Sequence, residues 1–182
     1  LGPLIEYAIT HEIGHTLGLS HNMGASAMVP VEKLRDKSWV AKHGISPSVM
    51  DYARFNYVAQ PGDHMDQKEL IGSLGAYDKW AIEWGYKKIY EAATPEAEVP
   101  ILSKITTERL KNNKRLFFGS ELNPDDPRSQ NEDLGDNAMK AGAYGIKNLQ
   151  RIVPNLLAWT EVANEDYSNL SELYNEVVIQ FN

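Results

Sequence analysis

Residues His11 to His21, His-Glu-Ile-Gly-His-Thr-Leu-Gly-Leu-Ser-His, constrain the fold more than any other stretch. On a helix, side chains four residues apart share a face, with Cβ atoms about 5–6 Å apart. His11 and His15 on one helix can therefore point their rings at one metal ion. Glu12 sits one step round that helix, too displaced for a third ligand but close enough to hold a water at the metal. Gly18 tolerates the left-handed backbone that ends a helix, so the chain can turn there and bring His21 back as a third ligand. Three neutral imidazoles on zinc leave a fourth position open, the arrangement of catalytic rather than structural zinc sites. Glu12 points the same way, because a purely structural site needs no base there.

With those residues in view, His11, Glu12, His15, Gly18 and His21 resemble the long zinc signature of the metzincin metallopeptidases. The resemblance implies a methionine turn further on, and Ser48-Val49-Met50-Asp51-Tyr52 fits it. It implies that Met50 forms an apolar floor beneath the metal. It also implies that Tyr52 lies near the metal and stabilises the transition state, as in the astacin-like and serralysin-like branches. The fold so implied is mainly α: the C-terminal, lower part of an α+β catalytic domain followed by additional helices. Residues 1–92 would hold the zinc helix, methionine turn and closing helix, and residues 93–182 a helical extension packed on them.

The implied function is a zinc-dependent endopeptidase acting on protein or peptide substrates. His11, His15 and His21 would bind Zn2+, with Glu12 as general base and Tyr52 as a donor to the developing oxyanion. Two alternatives stand beside it: a zinc-stabilised peptide- or glycan-binding module, and an inert fragment of a larger peptidase. Metzincins place a twisted sheet and another helix before the zinc helix, whereas ten residues precede His11 here. The expectation is a piece of a larger protein whose partner is the upper catalytic subdomain of the same parent chain. That subdomain would offer the strand edge with which an extended substrate pairs.

Several further stretches resemble the large zinc-dependent metalloproteases of Bacteroides-type bacteria. They are Tyr77 to Tyr86, Asp126-Pro127-Arg128, Asp133-Leu134-Gly135-Asp136 and Gly145-Ile146-Lys147-Asn148-Leu149. This likeness implies an exported enzyme. Composition sets outer bounds. The net charge of −7 disfavours nucleic acid as a partner. The absence of cysteine rules out disulfides and thiolate metal ligands. No apolar run approaches the ~20 residues of a membrane span.

Along the chain, Pro3 suits a first helical turn. Leu4, Ile5, Ala8, Ile9, Ile13 and Leu17 give helical periodicity through Leu19, and predict an apolar side packed on a core that includes Met50. Residues 22–47 read as an irregular connection with a short helix over 31–37; His43 within it matches no ligand spacing. Phe55, Tyr57 and Val58 could wall a substrate pocket or belong to the core, while His64 reads as exposed. A helix is expected over 74–88, ended by Gly85, with Trp80 and Trp84 on its apolar stripe. Another should start at Thr94 and Pro95 and run towards Asn112 across Pro100. Arg115 to Phe118 reads as a short strand. The acidic loop 119–133 lacks the spacing of a calcium-binding hand and reads as solvated. Residues 138–163 should be helical with a break at Pro154, and 170–181 a final amphipathic helix.

Overall fold

Pro3 lies in the first turn of helix α1 (Gly2–Thr16), where its missing N–H leaves no bond unmade. In the computed structural model, which describes every residue except Arg54, Pro124 and Asn182, six more α-helices follow. They are α2 (Lys37–His43), α3 (Ala76–Tyr86), α4 (Pro95–Asn112), α5 (Ala138–Ile152), α6 (Leu156–Thr160) and α7 (Ser168–Phe181). Short 3-10 turns join several of them, and no strand occurs among the described residues. The mainly α expectation therefore stands. Arg54, which falls in the segment expected to wall a substrate pocket, and the terminal Asn182 lie outside the described residues.

Local chemistry explains most helix ends. Asp36 caps α2 by accepting from the Trp39 amide, Thr94 caps α4 through the Ala97 amide, and Asn137 caps α5 through the Lys140 amide. Pro100 sits inside α4 without ending it. Pro154 lies in the 3-10 turn Val153–Asn155 that separates α5 from α6, as its fixed φ and missing donor require.

The core gathers around the irregular segment rather than around α1. Val29, Val31, Leu34, Val40, Ile45, Ala53 and Val58 pack against Leu134 and Ala141, with Trp39, Tyr57, Met65 and Tyr144 at the margin. Side chains fix this segment where regular structure does not. The Asn56 amide donates to Leu34 O at 2.7 Å, and the Asn148 amide donates to the carbonyls of Tyr57 and Ala59, both at 2.9 Å. Buried polar groups satisfied this way rigidify a loop much as a ladder rigidifies a sheet.

Three expectations are corrected. The apolar side of α1 does not face the core: Leu4, Ile5, Ile9, Ile13 and Leu17 are exposed. The inward face carries Tyr7, His11 and Gly14, spaced i, i+4, i+7, because directed hydrogen bonds and one close approach set the orientation. Arg115 to Phe118 is not a strand; Lys114–Leu116 forms a 3-10 turn capped by Asn113. Gly85 does not end α3, which continues to Tyr86. Of the stripe on α3, Trp80 is buried while Trp84 stays half exposed and donates to Thr106.

Candidate metal centre

The site begins where α1 ends. Gly18 adopts φ +82°, and the Leu19 and Gly18 amides donate back to Gly14 O and His15 O at 3.0 and 2.9 Å. This pair of bonds is the Schellman closure that a glycine past the helix end permits. It reverses the chain so that Leu19 O accepts from His15 Nδ1 at 2.9 Å, and it carries His21 to the rings of His11 and His15.

The methionine turn supports the inner face of α1. His11 Nδ1 donates to Val49 O at 2.8 Å, and Tyr7 Oη donates to Asp51 O at 2.8 Å. Between them Gly14 lies against the fully buried Met50, and a Cβ at Gly14 would overlap the Met50 sulfur. Asn22 N in turn donates to Met50 O at 3.0 Å. Met50 thus sits under the histidine-bearing helix.

Asp78, fully buried near the start of α3, ties the turn down from below. It accepts from Ser48 Oγ at 2.6 Å, Val49 N at 2.9 Å and Gly75 N at 2.7 Å. Burial raises its pKa, opposed by those same three bonds. Asp51 is also buried; one oxygen accepts from Ser26 N and Ser46 Oγ, while Oδ1 has no protein partner. Burial, reinforced by nearby Asp133, pushes the Asp51 carboxyl up to about 7. Burial likewise pushes Asp133 up to about 6.

His11, His15 and His21 form the one cluster of three or more metal-ligating side chains among the described residues; their ligand atoms lie within 4.8 Å of one another. The hydrogen bonds set which nitrogen of each ring is free to bind a metal. Nδ1 of His11 and of His15 faces a carbonyl, and Nδ1 of His21 faces Glu121 Oε2 at 2.8 Å. Carbonyls and carboxylates only accept, so each Nδ1 carries the proton and each neutral ring presents its Nε2 lone pair. His15 Nε2 and His21 Nε2 lie 3.1 Å apart. Two lone pairs at that distance repel unless a cation lies between them, and a metal ion can serve three nitrogens where a proton bridges two. Tetrahedral zinc at its usual Zn–N distance places its nitrogens about 3.3 Å apart; the His15–His21 pair meets that spacing, and the donor set of three imidazoles within 4.8 Å of one another is one that zinc takes.

Tyr52 stands beside the cluster, its ring stacked on His11 at 5.5 Å between centroids and tilted against His21 at 4.6 Å. Glu12, next to the buried His11, is exposed. The other candidates lie elsewhere. His43 packs on Trp39, its pKa lowered by burial and by Arg115 and Lys42, and His64 is exposed at a left-handed turn. Val58 belongs to the core, Tyr57 packs at its edge, and Phe55 is partly exposed.

Sequence reasoning did not single out Gly14, Asp78 or Glu121. Gly14 was legible as the one helical position too small for any side chain within His-Glu-Ile-Gly-His. Asp78 and Glu121 carry no spacing signal, since each acts across a long stretch of chain.

A family model described as Met-zincin matches residues 1–182. No curated protein and no solved structure matches the chain.

Proposed function

The chain belongs to the metzincin-type metallopeptidases, and from that premise we propose that it is a zinc-dependent endopeptidase with His11, His15 and His21 as the metal ligands. The observation that carries this reading is the clustering of one ligand atom from each of His11, His15 and His21 within 4.8 Å of one another, each ring held by a partner at Nδ1. When bound, zinc supplies Lewis acidity, polarising the scissile carbonyl and lowering the pKa of a water.

This chain's own residues do the rest. Glu12, exposed to solvent beside His11, takes the proton of the attacking water and later gives it to the leaving amine. Tyr52, packed on two of the ligand rings, donates to the oxygen on which negative charge develops, a contact worth roughly 3–4 kcal/mol in comparable sites. Met50 and Gly14 keep the underside of the ligand helix dry and close-packed. In this reading the helices are the lower part of a metzincin α+β catalytic domain, with residues 1–92 its catalytic portion and 93–182 a helical extension. The substrate is a protein or peptide, and the enzyme acts after export from the cell. No helix among the described residues is long and apolar enough to cross a membrane.

The experiment pairs peptide hydrolysis with metal content in Glu12→Gln. The endopeptidase reading expects zinc retained and hydrolysis lost. Retained hydrolysis would remove Glu12 from the mechanism, and binding of peptide or glycan without turnover by the wild-type protein would favour a binding module.

A further inference from the structure

We infer that Glu121 is a positioning residue for the metal: its carboxylate holds the His21 ring in its ligating tautomer and strengthens His21 as a donor. The inference rests on the zinc reading above, and concerns a residue one hundred positions away from the ligand it touches.

The three rings are not held alike. His11 and His15 ride on α1, and their Nδ1 atoms face backbone carbonyls of Val49 and Leu19. His21 lies beyond the helix, and its Nδ1 faces a side chain, Glu121 Oε2, at 2.8 Å. A carboxylate is a stronger acceptor than a carbonyl, and a metal-bound imidazole bonded to one becomes more basic. Three neutral imidazoles would leave a zinc site with two net positive charges, so an anion one bond removed also lowers the charge left uncompensated. Among the three anchors this is the one that a point mutation removes without changing the backbone.

The fold is arranged to bring this loop to the ligand. The Asn22 side chain bridges it, with Nδ2 donating to Phe117 O at 2.9 Å and Oδ1 accepting from Gly119 N at 2.8 Å. Gly24 and Gly119 let the two backbones meet: a Cβ on Gly119 would come within 2.7 Å of Gly24 Cα. Further along, Ser26 Oγ donates to Asp133 Oδ1 at 3.1 Å. The segment following His21 and the loop carrying Glu121 are thus fastened together at three places. The distal half of the chain therefore contributes to the metal centre as well as packing beside the residues that bear the ligands.

The test is zinc affinity measured by competition with a chromophoric chelator, together with the melting temperature of the metal-free protein. Glu121→Ala should weaken zinc about tenfold, the lower end of the effect for groups that hold a metal-ligating histidine, because Glu121 is half exposed. Glu121→Gln keeps an acceptor but loses the charge, and should weaken zinc by a smaller factor. Asp125→Asn, on the same loop, should leave affinity unchanged. The metal-free melting temperature should stay within about 2 °C in every variant, since an exposed pair adds little stability. Zinc affinities within twofold of wild type for both Glu121 variants would overturn the inference, as would an equal loss in Asp125→Asn. A wild-type protein that takes up no zinc would instead sink the zinc reading itself.

Discussion

Asp78→Ala should destabilise the protein from beneath its histidine cluster. The substitution removes a buried carboxylate that accepts three hydrogen bonds, from Ser48 Oγ, Val49 N and Gly75 N. Each donor left buried and unpaired costs about 1–3 kcal/mol. Ser48 can turn its hydroxyl elsewhere, but the two backbone amides cannot. Set against this is the relief of no longer burying a carboxylate whose pKa burial has raised. The net loss should be about 3–5 kcal/mol, a large share of the roughly 5–15 kcal/mol that holds most domains folded. At about 2–4 °C per kcal/mol for a chain of this size, melting should fall by about 6–20 °C.

Asp78→Asn separates bonding from charge. Oδ2 receives both backbone amides, so the asparagine oxygen can take that place while its amide faces Ser48 Oγ. A loss of about 1–2 kcal/mol is expected. The assay is chemical denaturation of the metal-free protein for both variants. Because Val49 O anchors the His11 ring, zinc affinity should fall in the same order. Equal stability of Asp78→Ala and wild type would refute the argument that this carboxylate holds the methionine turn.

Gly14→Ala gains helix propensity of up to about 1 kcal/mol but drives a methyl into Met50, so a net destabilisation of about 1–3 kcal/mol is expected by thermal melting. Gly14→Ala with Met50→Ala should recover part of that loss in a double-mutant cycle. Tyr52→Phe should retain zinc and lose roughly a hundredfold in kcat; unchanged turnover would reduce Tyr52 to packing. Asp51 titrates near 7 when folded and near 3.8 when unfolded, so the folded state binds the extra proton between those values. Its contribution to stability is therefore greatest below pH 4 and falls as pH rises to 7, by at most about 4 kcal/mol. Asp51→Asn should flatten that slope in denaturation curves taken at pH 5 and pH 8.

The histidine cluster was legible because it is local. His11, His15, Gly18 and His21 lie within one helix and its closing turn, where spacing translates directly into geometry. The methionine turn was legible from its own residues and its resemblance. What holds the two together was not. The contacts of Asp78 with residues 48 and 49, Asn148 with Tyr57 and Glu121 with His21 join distant positions through single side chains, which leave no periodic trace. The orientation of α1 departs from its apolar periodicity for a related reason. Periodicity marks which residues could be buried together, whereas Tyr7, His11 and Gly14 face inward because of two directed hydrogen bonds and one missing side chain. Likewise, Arg115 to Phe118 has strand-like composition but no neighbouring strand to pair with among the described residues.

The central claim is that three imidazole nitrogens converge to hold one zinc ion. Its most direct measurement is zinc per chain, by elemental analysis after dialysis, for wild type and for the single alanine variants of His11, His15 and His21. The account expects about one zinc per wild-type chain and a sharp fall in each variant. Unchanged stoichiometry in all three would contradict it.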